Sequence, residues 1–184
     1  MDKGPALGLG TQPSATPSEA AVRDPPLSAA ALRHAFGQYP TGVAIVAARS
    51  DDDALVAMTI NSFASLSLDP PLVLWSLSNR SPDVALYRIG RPFSISILAA
   101  RQLALARHFA DGKRRRVPVP GTMMTHASGV PLVRGAVAQL ICTVEQTLPA
   151  GDHVLVIGQV VQLHTAPGDT LAFHRGRYAR VTAA

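Results

Sequence analysis

An alternating apolar and polar run, Ala136 to Leu148, and a strongly β-forming run, His153 to Leu163, flank the turn-forming tetrapeptide Pro149-Ala150-Gly151-Asp152. A period of two sends successive side chains to opposite faces, so the two runs predict a long antiparallel hairpin. On its first arm Ala138, Leu140, Cys142 and Val144 share one face, and Gln139, Thr143 and Glu145 share the other. The 14 glycines and 15 prolines in 184 residues point the same way. That much punctuation favours many short elements joined by turns over a helical bundle.

The remaining elements follow from local signals. Ser28 is positioned to cap a helix whose Leu32, Ala35, Phe36 and Tyr39 form one apolar face, with Pro40 as its stop. Val43 to Ala47 predicts a strand that turns through Asp51-Asp52-Asp53 and returns as Leu55 to Thr59. Leu72 to Leu77 predicts a buried strand after Asp69-Pro70-Pro71. Ser81, Pro82, Asp83 and Gly90 follow helix start-and-stop grammar, giving a short helix from Pro82 to Ile89. Phe93 to Leu98 predicts a half-buried strand, Ala100 to Phe109 a helix ended by Gly112, Asp111 to Pro131 a long loop, and Arg177 to Val181 a last strand. Six or more mostly antiparallel strands with two or three helices imply a mainly β fold, expected as a closed barrel with helical decoration.

Length and patterning imply one domain, expected over residues 27–184. Residues 1–26 mix Gly, Pro, Ser, Thr and Ala without apolar periodicity and are expected to form a disordered tail. Gly8-Leu9-Gly10 in that tail follows no strand and opens no helix, so it does not read as a dinucleotide-binding motif. Cys142 is the only cysteine, which excludes an intrachain disulfide framework and a cysteine-rich zinc site. The opening residues lack the order of an export signal, and no stretch nears the ~20 apolar residues that span a bilayer, so a cytoplasmic protein with no membrane partner is expected. Lys3 and Lys113 are the only lysines among 17 Lys and Arg residues, so the net charge of +5 is carried almost wholly by arginine. Guanidinium forks suit phosphates and carboxylates, whether on a nucleotide or on nucleic acid.

Three segments carry candidate chemistry. Met58 to Pro71 is a polar-small stretch between two strands, offering Thr59, Asn61, Ser62 and Ser65 with Phe63 and Ala64 between them. Such a lining suits a flat heteroaromatic ring with polar edges, and equally suits a serine-rich loop that satisfies its own turns. Ser78-Asn79-Arg80-Ser81-Pro82 places an arginine and hydroxyls at a predicted helix N-terminus, an arrangement for phosphate or simply a helix cap beside a solvated arginine. Gly151-Asp152-His153 delivers one imidazole at a tight turn, as a functional group or as a surface histidine.

Together these segments resemble the short-chain NAD(P)H:flavin oxidoreductases, the reductase components of two-component flavin monooxygenases. The resemblance spans Leu32 to Tyr178. It rests, in order, on Phe36-Gly37-Gln38-Tyr39-Pro40-Thr41-Gly42-Val43, Met58 to Phe63 with Ser67 to Pro71, Phe93 to Leu98, Phe109-Ala110, Gly151 to His153, and Arg175-Gly176-Arg177-Tyr178. It implies an FMN-binding split β-barrel that forms a homodimer, uses FMN or FAD with NADH or NADPH, and hands reduced flavin to a partner monooxygenase. It further implies that Thr59, Asn61, Ser62, Phe63, Ala64 and Ser65 lie along the isoalloxazine and Ser78, Arg80 and Ser81 near its phosphate. Arg175 and Tyr178 join the cofactor-binding set, and His153 faces the nicotinamide as an orienting or electrostatic group.

Three features depart from the family pattern: Ile60 where a small residue is common, His174 where an aromatic is common, and a longer, more basic insert from Gly112 to Ser128. Lys113-Arg114-Arg115-Arg116 within that insert reads as a solvated loop, a contact to a cofactor pyrophosphate, or a dock for an acidic partner. A non-catalytic flavin-storage protein on the same barrel is the first rival reading. A basic nucleic-acid-associated barrel is the second, though no helix-turn-helix, RNP or zinc signature supports nucleic-acid binding.

Overall fold

A computed structural model describes residues 27–181. The expected tail, with Gly8-Leu9-Gly10, and the last three positions of the expected domain lie outside the described residues. Helix α1 (Ala29–Phe36) begins as expected, with Ser28 Oγ accepting the Ala31 N–H at 3.1 Å. Its apolar face and the residues just after it are left uncovered among the described residues: Phe36 is 70% and Tyr39 76% exposed.

The strands are β1 (Thr41–Gly42), β2 (Ala44–Arg49), β3 (Leu55–Ile60), β4 (Ala64–Leu68), β5 (Pro71–Ser78), β6 (Pro92–Ile97), β7 (Met123–Thr125), β8 (Pro131–Val133), β9 (Ala138–Ala150), β10 (His153–Thr165), β11 (Leu171–His174) and β12 (Arg177–Arg180). Seven form one antiparallel sheet in the order β3-β2-β6-β9-β10-β5-β4, and β1-β11-β12 and β7-β8 make two smaller sheets. The predominance of antiparallel strand is as the sequence implies, but the sheet is not closed: β3 and β4 remain its edges. The basic segment takes part of the capping role that closure would have served, since the Ala57 N–H of β3 donates to the Arg115 carbonyl at 2.8 Å.

The predicted long hairpin is β9 with β10, joined by Gly151-Asp152 with Gly151 at φ +61°. Register shifts at Ile157/Gly158 and Val160/Gln162 bend it. Two large hydrophobic clusters and a small one of Val130, Leu132 and Ile141 form the core among the described residues. Val46, Met58, Trp75, Tyr87, Phe93 and Cys142 belong to the first large cluster, and Ile45, Leu98, Leu105, Phe109, Val133 and Leu171 to the second. Central strand β2 sends Val46 to the first and Ile45 to the second, which is why its sequence reads as an unbroken apolar run.

Several expectations need correction. Met58 to Pro71 is not all loop, because Ala64–Leu68 pairs with β5 as a bulged edge strand. The helix expected from Pro82 to Ile89 is a single 3-10 turn, Val84–Tyr87. Asp83 is turned into the protein at 2% exposure, where it meets Arg115 and Arg116, and Arg88 is already extended. Strand β6 is covered on both faces rather than half-buried: Ser94 Oγ donates to the Pro131 carbonyl, and Ser96 Oγ accepts the Val133 N–H at 3.1 Å. The helix after it starts as a 3-10 turn (Ala100–Gln102) and continues as α2 (Leu103–Ala110), which Asp111 rather than Gly112 ends. The loop expected from Asp111 to Pro131 contains a further 3-10 turn (Gly112–Arg114) and the β7–β8 hairpin. Strand β11, partner of the expected last strand, is an additional element.

Candidate functional site

The turn between β3 and β4 is held in place by Ser62, whose Oγ accepts the Ser76 N–H at 3.1 Å and donates to the Ser76 carbonyl at 3.4 Å. These bonds tie the hydroxyl to the sheet. Thr59 Oγ1 is likewise committed, donating to the Ala106 carbonyl of α2 at 2.8 Å. Half-buried Phe63 packs on the first hydrophobic cluster. Asn61, Ala64 and Ser65 are exposed, and the Asn61 amide and Ser65 hydroxyl have no hydrogen-bond partner among the described residues. The predicted ring-binding residues therefore divide into a braced set, Thr59, Ser62 and Phe63, and a presented set, Asn61, Ala64 and Ser65.

Beside them lies a cleft of about 160 Å³, where Thr59, Ile60 and Asn61 meet Val43, Ala110, Phe173 and Tyr178. Tyr178 stacks edge-on against Phe173 with ring centroids 5.3 Å apart. Partial burial raises the Tyr178 hydroxyl above its ordinary pKa, with the Arg107 cation pulling weakly the other way. At physiological pH it is a neutral donor. Thr41 faces Phe173 in the β1–β11 register, and its Oγ1 is buried without a hydrogen-bond partner among the described residues. Sequence reasoning quoted Thr41 within a motif without assigning it a role. The signal was the polar hydroxyl immediately before Gly42 and an apolar strand.

Arg175 stands elsewhere. It occupies the Arg175-Gly176 connection between β11 and β12, with φ +49° and +75° at the two residues, the pattern of a tight two-residue hairpin turn. Its N–H donates to the Gly37 carbonyl at 2.9 Å and its Nε to Gln38 Oε1 at 2.8 Å, binding the turn to the end of α1. The structure brings Tyr178, but not the Arg175 guanidinium, to the cleft with Thr59 and Asn61.

A second group forms where β5 meets β10. Ser78 and His153 are directly paired, the Asn79 N–H donates to the Asp152 carbonyl at 3.0 Å, and Asn79 Nδ2 donates to the Gly151 carbonyl at 3.0 Å. His153 Nδ1 and Asp152 Oδ1 are hydrogen-bonded at 2.7 Å, which leaves Nε2 as the ring nitrogen without a partner among the described residues. That bond and the nearby imidazole hold the Asp152 carboxyl below its usual range, and the Arg80 cation adds a smaller pull. Ser78 Oγ accepts the Arg80 N–H at 3.3 Å, while the exposed Arg80 guanidinium has no partner among the described residues. Hydroxyl, guanidinium and imidazole from segments some seventy positions apart thus share one end of the sheet.

Ser81 belongs to a third group. Its Oγ accepts Arg115 Nη1–H at 2.8 Å and the Asp83 N–H at 3.3 Å. Arg115 and Arg116 reach Asp83 at 3.4 and 3.1 Å, so two guanidiniums answer one buried carboxylate. The basic run is therefore not a wholly solvated loop, because two of its four cations brace the turn after β5. With only a short 3-10 turn following Ser81, the helix-dipole contribution expected there is lost. Among the described residues there is no cluster suited to hold a metal ion, and no helix long and apolar enough to cross a membrane.

Chemically, the arrangement offers unspent amide and hydroxyl donors beside an apolar-walled cleft, and an uncommitted arginine next to a histidine oriented by a carboxylate. Comparison with known proteins agrees with this chemistry. The family model described as flavin reductase like domain matches residues 36–182. An NADH-dependent flavin reductase from a Rhodococcus species is 41% identical over 157 residues, covering 84% of this chain and 88% of that protein. The FMN reductase (NADH) SmoA of Agrobacterium fabrum is 35% identical over 149 residues, covering 81% and 84%. The crystal structure of BorF, the flavin reductase component of a bacterial two-component tryptophan halogenase, superposes with a TM-score of 0.77 at 33% identity, covering 85% of this chain and all of that one. Matched across most of its length in sequence and in overall fold, the chain belongs to the flavin reductase like domain family.

Proposed function

We propose that the chain is an NADH-dependent reductase of FMN or FAD that releases reduced flavin to a separate flavin-dependent monooxygenase. The observation that carries this reading is the division of the β3–β4 segment. Thr59 and Ser62 spend their hydroxyls on the scaffold while Asn61 and Ser65 keep theirs available beside the Tyr178 cleft. The residues fit a flavin. The presented donors match the polar edge of a planar ring, the orphaned Thr41 hydroxyl lies at the neighbouring strand position, and the unpaired Arg80 matches a phosphate.

A bound flavin supplies the hydride-accepting ring. The chain's own residues position and polarise. Asn61 and Ser65 hold the ring edge by hydrogen bonds, and Phe63, Ala64 and the cleft walls exclude water from its face. Ser78 and Arg80 anchor the ribityl phosphate. Ser81 supports them from behind through Arg115, and Arg175 fixes the α1 end of the site through its turn. His153, held by Asp152, orients the nicotinamide and favours negative charge developing nearby, without itself having to carry a proton.

The exposed apolar face of α1, with Phe36 and Tyr39, supports a homodimer in which a second copy completes the site. Light scattering on the purified chain tests that point. For the activity, protein mixed anaerobically with FMN and NADH should bleach the flavin over many turnovers. Monooxygenase added together with oxygen should then reoxidise the reduced flavin. Stoichiometric binding without bleaching would favour a storage role instead.

A further inference from the structure

Helix α2 has two working faces. Ala106 and Ala110, one turn apart, look toward β3 and the Tyr178 cleft. Ala104 and His108 lie on the other side, Arg107 stands between the two faces near enough to act on the Tyr178 hydroxyl, and the three line a separate cleft of about 660 Å³, closed by the basic insert and the end of β8. Four arginines converge on it: Arg101, Arg107, Arg114 and Arg134. No carboxylate of the described residues lines it.

Two of the four guanidiniums are partly spent: Arg101 Nη2 donates to the Gly135 carbonyl at 2.8 Å, and Arg114 Nε meets Asp111 at 3.4 Å. The guanidiniums of Arg107 and Arg134 have no hydrogen bond or ion pair to any described residue. Both residues are exposed. Like charges that converge on one concavity repel each other, and an anion seated between them converts that cost into attraction. Leu105 and Val119 give the same cleft an apolar wall, and its volume falls in the range of small-molecule sites rather than flat docking faces. The walls are fixed: His108 Nε2 bonds the Val117 carbonyl at 2.8 Å and Gln102 Nε2 the Arg134 carbonyl at 2.9 Å, tying α2 to both closing segments.

We propose that this cleft binds a nucleoside diphosphate, its two phosphates between Arg107 and Arg134 and its base against Leu105 and Val119. The cleft shares no lining residue with the one beside Asn61 and Tyr178 that is assigned to the flavin.

Isothermal titration of the full chain with ADP tests the proposal. ADP should bind one per chain, and adenosine, lacking the phosphates, should give no measurable heat. The double variant Arg107→Gln/Arg134→Gln should weaken ADP by at least about tenfold, and Arg80→Gln should leave it within about twofold. Because both arginines are exposed, the double variant should melt at the parent temperature. Absence of ADP binding, equal heat from adenosine, or weakening by Arg80→Gln but not by the double variant would overturn the proposal. Riboflavin turnover with NADH is measured separately, so the failure of one reading leaves the other intact.

Discussion

His153 and Ser78 stand directly opposite each other on neighbouring strands, which joins the one oriented imidazole of the sheet to the arginine-bearing turn that follows β5. Because Nδ1 is engaged with the Asp152 carboxylate, Nε2 is the ring nitrogen left to face a ligand. His153→Ala should slow flavin reduction by NADH about tenfold or more and leave flavin affinity nearly unchanged. Stopped-flow reduction alongside a fluorescence titration separates the two effects, and equal reduction rates would remove His153 from the mechanism.

Arg80 is exposed and its guanidinium has no partner among the described residues, so its contribution should appear only toward an anion. Arg80→Gln should weaken FMN about tenfold while riboflavin, which lacks the phosphate, changes by less than about twofold. Parallel fluorescence titrations with the two flavins check this. Equal weakening of both would place Arg80 against the ring or the scaffold instead.

Gly158 sits where the Phe93 ring crosses β10: an added Cβ would come within 2.5 Å of Phe93 Cζ. Phe93 is fully buried against Trp75 and Tyr87 and has nowhere to move. Gly158→Ala should cost about 1 to 3 kcal/mol in urea unfolding. Gly42→Ala, with nothing within 4 Å of the new methyl, serves as the control and should cost far less.

The Cys142 thiol is buried, which pushes its pKa up to about 12. The native protein should resist thiol reagents at mildly alkaline pH and react only on unfolding. The folded pKa is raised, so the unfolded chain releases this proton first. Stability from this group is intact below the reference value of 9.0 and falls as pH rises from there toward about 12. The slope should approach about 1.4 kcal/mol per pH unit, and Cys142→Ala should abolish that component in urea titrations across the alkaline range.

Local periodicity was enough to read the long hairpin, the β2–β3 pair and the cap of α1, because each is specified by neighbours in sequence. The elements misread from sequence depend on distant partners. Asp83 looks like a helix-start residue until Arg115 and Arg116, more than thirty positions away, draw it inward and leave only a 3-10 turn. Ser94 and Ser96 look solvent-facing because their partners, Pro131 and Val133, are remote. In the candidate site, residue identity was legible and role was not. Nothing local tells that Ser62 braces the sheet while Asn61 stays unspent, or that Arg175 serves a turn beside α1.

The central claim is that this sheet reduces a flavin, and steady-state loss of NADH absorbance with trace protein and excess FMN, FAD or riboflavin tests it most directly. The account predicts many turnovers per chain with at least one of the three, dependent on both protein and flavin. A purified, folded chain that oxidises no NADH beyond its own stoichiometry with any of them would contradict it.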